Sequence, residues 1–590
     1  MRDAEMDLRE RVERYVAGDV DPAAQAELRE LLKSADLART DLADRFAGAL
    51  EFGTAGLRGV LGAGPNRMNR AVVLRTTHGL AAHLLETVPD ARTRGVVVGF
   101  DGLHRSRELA EDTACVLAAN GVVAHLFDEV APTPLTAFAV KHLGAAAGVM
   151  VTASHNPREY NGYKVYWENG AQIIPPVDAG IAARIASAPD AKEVPRKAIA
   201  RARAEGLVRA VAPSVEESYL AGVRAMAIHP PSASGKELSV VYTAMHGVGA
   251  PLARRAFDQA GFSRVVFVPE QEAPDPTFPT VAFPNPEEKG AMDLSFALAR
   301  TVAADVVLAN DPDADRLAVA VPSKGMSVGY RQLTGNEVGI LLGHYLLTEG
   351  SDRSAGRLVL VSIVSSPLLG VIARALGAGY DETLTGFKWI ANRAMELEKA
   401  QKERFVFGFE EALGYTIGDL VRDKDGVSAA AVMAEMVAWL RDRGRTLVDE
   451  LESIHRLYGL YVSSQVNVTR PGASGVAEIK AIMDRLRESK PGAFGAHRVV
   501  LERDYDARVE TRRADGYVSP LALPRSNVLA YELEGGSRII ARPSGTEPKI
   551  KFYFDVREAV DPEEPIAAAE ARANGAMEEL KKVFVAIASG

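Results

Sequence analysis

Cysteine is almost absent. Cys115 is the only one in 590 residues, so neither a disulfide framework nor a cysteine metal site can form within the chain. It sits in the apolar run TACVLAAN and reads as a buried small hydrophobe. Long apolar runs are missing as well. None approaches the ~20 residues needed to cross a bilayer, which argues against a membrane partner. There is no basic surplus: 69 Lys and Arg stand against 78 Asp and Glu, a net charge of −9. A nucleic-acid binder would normally carry a basic face, so none is expected as a partner. The opening stretch MRDAEMDLRERVERY alternates in sign and resembles neither a signal nor a transit peptide. A cytoplasmic location is the default expectation.

With 47% apolar and 25% charged residues, the rest is ordinary globular composition. The length exceeds what one hydrophobic core can organise, so several domains are expected. Residues 1–48 read as a helical preface, with Asp21 as an N-cap and Pro22 at the first helical position. From Ala71 onward, short buried strands alternate with amphipathic helices, a pattern that implies mostly parallel sheets covered on both faces. The pattern restarts after the Pro/Ser/Gly-rich HPPSASGKE and again after TGNEVGILLGHYLL. Beyond Arg456 the texture becomes α+β, and an EGG turn between strand-like runs reads as a hairpin.

Five unusual segments fall where open α/β sheets place ligands, at strand ends. In VTASHNPREYNGYK, Ser154 follows an apolar strand. A serine exposed there can carry a phosphoryl group, or it can simply cap a turn. In NDPDADR, Asp311, Asp313 and Asp315 alternate with single residues. Carboxylates so close repel unless a cation neutralises them, and oxygen ligands suit Mg²⁺ or Ca²⁺. In RPSGTEPK, Arg542, Ser544, Gly545, Thr546 and Lys549 can wrap a phosphate or form an ordinary hairpin turn. GTAGLRG sets Arg58 among glycines without a clear preceding strand. GFEEALGY puts Glu410 and Glu411 at the end of a buried strand, where they can accept hydrogen bonds from sugar hydroxyls or open a helix. A hydroxyl able to carry phosphate, a cation site, a second anion site and a carboxylate loop are together what a phosphosugar enzyme needs.

TASHNP, DPDADR, GFEEALGY and RPSGTEPK occur in the order that resembles the α-D-phosphohexomutase superfamily, from about Leu50 to Phe554. EFGTAGLRGVLGAGPNRMN and PDPTFPTVAFPNPEE look like its phosphoglucomutase-2-like subgroup. The resemblance implies three related α/β domains of mixed sheets and a C-terminal α+β domain around a central cleft. Boundaries are expected at 49–228, 229–333, 334–455 and 456–590. It implies an isomerase that interconverts sugar 1-phosphates and 6-phosphates of glucose or mannose. The implied route is a phosphoserine at Ser154, with a sugar 1,6-bisphosphate as intermediate and activator. One Mg²⁺ would be held by Asp311, Asp313, Asp315 and the Ser154 phosphate. Arg58, Lys164, His155 and Arg316 would serve the transfer. Thr385, Gly386, Lys388, Glu410 and Lys424 would meet the sugar, and Arg542, Ser544, Gly545, Thr546 and Lys549 the non-reacting phosphate. A monomer or homodimer is expected. Ala412 stands where many members carry a serine, two positions after the sugar-binding glutamate. That departure keeps a phosphopentomutase and a glucose-1,6-bisphosphate synthase in view. A catalytically silent sugar-phosphate binder is the reading from another class.

Overall fold

The computed structural model describes residues 2–33, 41–53, 56–233, 235–350, 356–401, 403–470, 475–544 and 549–589. The chain divides into two compact units, the first comprising Met1–Leu333, Phe387–Asn392 and Ala412–Asp442. The second comprises Thr334–Gly386, Arg393–Glu411 and Arg443–Gly590.

The first unit opens with helices Arg2–Gly18, Pro22–Leu31 and Leu42–Arg45. The expected cap is in place: Asp21 accepts the Ala23 amide at 3.0 Å. These helices share a small core of Val12, Leu28, Leu42 and Phe46. Next comes a six-stranded sheet in the order Leu57–Val60, Tyr160–Trp167, Ala147–Val151, Val96–Phe100, Ala124–Leu126, Val208–Ala210. Its last four strands run parallel, and Tyr160–Trp167 lies antiparallel to both its neighbours. The sheet is therefore mixed. Val96, Val98 and Val149 are fully buried against Leu80 and Leu84 of helix Arg70–Thr87 and Leu109 and Leu117 of helix Ser106–Ala119. Helix Thr133–His142 packs on the strands Val96–Phe100 and Ala147–Val151 as well. Cys115 is half-buried rather than fully buried, and burial still pushes its thiol up to about 11.

A second sheet has the order Tyr330–Gln332, Ala318–Pro322, Val306–Ala309, Val240–Thr243, Val265–Phe267. The last three strands are parallel and the first two antiparallel. The reversal matters for function. The chain must turn back between Ala309 and Ala318, and the aspartate trio forms that turn.

The second unit contains the parallel trio Gly379–Thr383, Arg357–Ser362, Arg404–Glu410. Helix Gly335–Glu349 beside it starts in a reciprocal capping box between Thr334 and Glu337. Its C-terminal part is an antiparallel sheet running Leu460–Thr469, Lys549–Glu558, Arg538–Pro543, Leu529–Leu533, His497–Asp504, Val509–Arg512, Val518–Pro520. Phe494, Tyr531, Phe552 and Phe554 of this part pack around Phe584. The expected hairpin at Gly535–Gly536 joins two of these strands.

In that sheet Arg538 stands opposite Asp555. Its guanidinium lies 2.7 Å from the Asp555 carboxylate and donates to the Ser365 carbonyl at 2.6 Å, with Arg538 only 2% exposed. Removing one partner of a buried pair strands the other charge. Arg538→Ala should therefore cost about 3–5 kcal/mol of stability. Urea unfolding monitored by circular dichroism measures this, and a loss below about 1 kcal/mol, the ceiling for an exposed pair, would contradict it. No described helix is long and apolar enough to cross a membrane.

Candidate active site

Ser154 follows strand Ala147–Val151 in the left-handed region, at φ 55°. Its amide donates to the Thr152 hydroxyl at 2.8 Å, a local turn of the kind that hydroxyl residues stabilise. The sequence suggests an exposed serine, but the structure buries it to 1% exposure. The reason is the aspartate loop packed over it. Ser154 Oγ donates to Asp311 Oδ2 at 2.7 Å and lies 3.0 Å from His155 Nδ1.

Asp311, Asp313 and Asp315 are each at most 1% exposed, and one carboxylate oxygen from each lies within 4.8 Å of the other two. The approach is close on every side. A Cβ added at Gly247 would come within 2.3 Å of the Pro312 Cα, so only glycine admits the loop there. Thr133, at the start of helix Thr133–His142, donates its hydroxyl to Asp313 Oδ2 at 2.7 Å and its amide to the Asp313 carbonyl at 2.9 Å.

Lys164 comes from strand Tyr160–Trp167. It is fully buried, 2.7 Å from Asp313 and 2.9 Å from Asp315. Burial works against its charge, but the two carboxylates prevail and hold its ammonium above the ordinary lysine range. The same contest divides the acids. Burial, then Asp313 and Asp315, push Asp311 well above the usual carboxylate range. Burial and Asp315 oppose ionisation of Asp313, yet Lys164 and the Thr133 hydroxyl keep it below that range. For Asp315 burial is outweighed by Lys164 and then Lys424. Asp313 Oδ1 and Asp315 Oδ1 are buried without a hydrogen-bond partner among the described residues. Buried carboxylate oxygens without a hydrogen-bond partner are the ligand atoms that a hard cation takes, so these residues fit Mg²⁺.

Arg58 lies on strand Leu57–Val60, opposite Gly162, and donates to Asn156 Oδ1 at 3.0 Å. Burial lowers its guanidinium from the ordinary range. Arg316 Nε is 3.9 Å from Asp311 and 4.0 Å from Asp315. His155 is pushed well below its usual range by burial, then by Arg316 and Arg58. Lys424 reaches Asp315 at 3.1 Å. The first unit thus gathers Ser154, His155, Arg58, Lys164, Arg316, Lys424 and the aspartates. Lys388, also in this unit, instead donates to the Gly53 carbonyl at 3.3 Å, and its burial lowers its ammonium.

In the second unit, Glu410 ends strand Arg404–Glu410 and accepts the Gly386 amide at 2.7 Å. The Thr385 hydroxyl beside them is buried without a partner among the described residues. Arg542 Nη1 donates to the Tyr553 hydroxyl at 3.3 Å, and the Ser544 amide donates to the Lys549 carbonyl at 2.7 Å. Gly545 and Thr546 lie outside the described residues.

Sequence reasoning missed several supporting residues. Thr133 sits in the apparently ordinary APTPLT. Asp101, raised by burial to about 6, accepts the Ser106 hydroxyl at 2.6 Å behind the serine loop. Tyr166 and Asp423 pair at 2.8 Å, though 257 positions separate them. Only the alternation of strand Tyr160–Trp167, which puts Lys164 and Tyr166 on one face, could have pointed to the last pair.

Four family models match the chain. The phosphoglucomutase/phosphomannomutase alpha/beta/alpha domains I, II and III match residues 49–192, 217–325 and 334–458, and its C-terminal domain matches 466–573. A Schizosaccharomyces pombe protein named "Probable phosphoribomutase" is 38% identical over 569 residues, 93% of this chain and 94% of its own length. A Homo sapiens phosphopentomutase is 37% identical over 540 residues, 88% and 86% of the two chains. A Haemophilus influenzae "Probable phosphomannomutase" is 40% identical over 496 residues, 83% and 93%.

Proposed function

The chain belongs to the phosphoglucomutase/phosphomannomutase family and is a phosphosugar mutase, and from that premise we propose that it shuttles a phosphoryl group between Ser154 and the two ends of a sugar phosphate. The observation that carries the proposal is the 2.7 Å contact between Ser154 Oγ and Asp311, set beside Lys164 and two unsatisfied carboxylate oxygens.

In the transfer, a free hydroxyl oxygen of a sugar monophosphate bonds to the phosphorus carried on Ser154 as the Oγ–P bond breaks. The hydroxyl proton ends on Oγ, and the sugar becomes a bisphosphate. After the bisphosphate turns, its other phosphoryl group returns to Ser154 by the same step in reverse. Phosphoserine and substrate each bring ~−1.5 to −2 charges, so their approach needs fixed positive charge. Arg58, Lys164 and Arg316 supply it from rigid backbone positions. Asp311, Asp313 and Asp315 would hold Mg²⁺, which when bound offers Lewis-acid charge to the phosphoryl oxygens. His155, 3.0 Å from Oγ, orients the serine. Lys424, Lys388, Thr385, Gly386 and Glu410 are assigned to the sugar, and Arg542, Ser544, Gly545, Thr546 and Lys549 to the phosphate that does not react.

For the sugar, a pentose 1-phosphate is the favoured reading. Ala412 removes one hydroxyl contact that hexose-specific members make, and two of the similar proteins bear pentose names. A hexose 1-phosphate is the second reading, favoured by the phosphomannomutase name of the third. Initial rates on ribose, deoxyribose, glucose and mannose 1-phosphates separate the two. We expect kcat/KM to be at least ~10-fold higher for a pentose, the scale of one lost contact worth about 1.4 kcal/mol. A hexose preference of that size would reverse the assignment, and dependence on a triose bisphosphate donor would mark a bisphosphate synthase. Intact-mass spectrometry of the purified chain should show one phosphoryl adduct that sugar monophosphate removes. A chain that binds sugar phosphate without such an adduct and without turnover would be a silent binder.

A further inference from the structure

Lys424 is held by an arrangement that the transfer itself leaves unexplained. Asp423 beside it is 1% exposed, and both its oxygens are engaged. Oδ2 accepts the Tyr166 hydroxyl at 2.8 Å and Gln172 Nε2 at 2.7 Å. Oδ1 accepts the Lys424 amide at 2.8 Å and its ammonium at 3.4 Å. The Lys424 ammonium also lies 3.1 Å from Asp315 Oδ2, the oxygen that Lys164 approaches at 2.9 Å. Two ammonium groups on one carboxylate oxygen repel each other, and a second carboxylate on the far side of Lys424 offsets that repulsion. The stem is confined as well. A Cβ at Gly414 would fall 2.3 Å from Lys424 Cδ, and the ammonium lies 5.7 Å from the Phe387 ring centroid. Tyr166 shares a strand face with Lys164, so one strand sets both lysines: one directly, the other through Asp423. Burial, then the Asp423 charge, hold the Tyr166 phenol well above its usual range, so it stays a donor.

We propose that Asp423, fixed by Tyr166 and Gln172, is a positioning residue that keeps the Lys424 ammonium apart from Lys164 and aimed at the sugar of the substrate. The inference rests on the reading of Lys424 as a substrate contact. A lysine stem has several rotatable bonds, and its freedom must be removed before the ammonium can act at a defined point. Reaction rates are steep in such placement: an error near 1 Å can cost on the order of 100-fold.

The test is a double-mutant cycle on the full chain with its preferred sugar 1-phosphate. Asp423→Asn keeps the shape and removes the charge, and should lower kcat by ~10- to 100-fold. Tyr166→Phe should lower it in the same direction by less. In a Lys424→Met background, Asp423→Asn should change kcat by less than about twofold, because a residue acting through Lys424 has nothing left to position. If the two losses multiply, Asp423 serves the fold alone and the proposal fails. Should Asp423→Asn not fold, the cycle of Tyr166→Phe with Lys424→Met decides in the same way. Gly414→Ala, which displaces the stem without touching Asp423, should likewise lose its effect in the Lys424→Met background. Wild-type turnover and the Ser154 phosphoryl adduct are measured in the same preparations. Their absence would remove the proposed function, whereas an active wild type with multiplying losses would remove only the role of Asp423.

Discussion

Ser154→Ala should lower steady-state mutase turnover by on the order of 10⁴-fold or more, the scale seen when a covalent carrier is deleted. The loss should fall on kcat, since the residues assigned to binding the sugar phosphate are untouched. The fold should survive. Ser154 lies in a turn, not in an apolar core, and alanine at φ 55° meets the same backbone strain as serine. What changes is the hydroxyl's contact with His155 and its hydrogen bond to Asp311, a carboxyl that burial and its two neighbours already push toward the neutral form. A thermal melt within a few degrees of wild type, together with loss of the intact-mass phosphoryl adduct, would complete the picture. Turnover near the wild-type rate, or an adduct persisting in the variant, would place the carrier elsewhere.

The second large effect concerns the aspartate trio. Asp313→Asn preserves size and the acceptor for Thr133 but removes a negative charge from the cluster. Turnover should fall ~10²- to 10³-fold, as expected when a preorganised charge at a transferring phosphoryl group is lost. Binding gives a readout independent of rate. A cation that binds only the folded chain raises its melting temperature. MgCl₂ should therefore raise the midpoint of the wild type and leave that of Asp313→Asn nearly unchanged. A chelator should abolish turnover of the wild type, and excess Mg²⁺ should restore it. Equal thermal shifts in the two proteins, or full activity in chelator, would rule out this trio as the cation site.

Much of this site can be read from local pattern, and the limits of that reading are physical. Asp21 and Pro22 announce a helix start because capping is a property of consecutive residues. The trio Asp311, Asp313 and Asp315 is legible because Leu317 to Ala320 resume a buried pattern at once, leaving the acids pinned. Antiparallel strands are harder. Leu57–Val60 is short and glycine-flanked, and its pairing with Tyr160–Trp167 spans about a hundred positions, so Arg58 reads as part of a loop. The burial of Ser154 depends on a loop 157 positions away. Thr133 and Asp423 belong to the same class: neither has a local signature, and each acquires its role only when another segment packs on it. Lys388 shows another limit: a motif match puts it with the sugar contacts, but nothing local announces that its ammonium also reaches the Gly53 carbonyl, 335 positions away.

The link between Thr133 and Asp313, a hydroxyl and an amide donated across 180 positions, has a consequence for biosynthesis. The ribosome delivers the serine well before the acids, and the acids reach their final pose only against a partner already made. A chain that ends before Asp311 lacks the carboxylate that Ser154 meets in the folded protein, so the serine loop is completed only once the second sheet has been made.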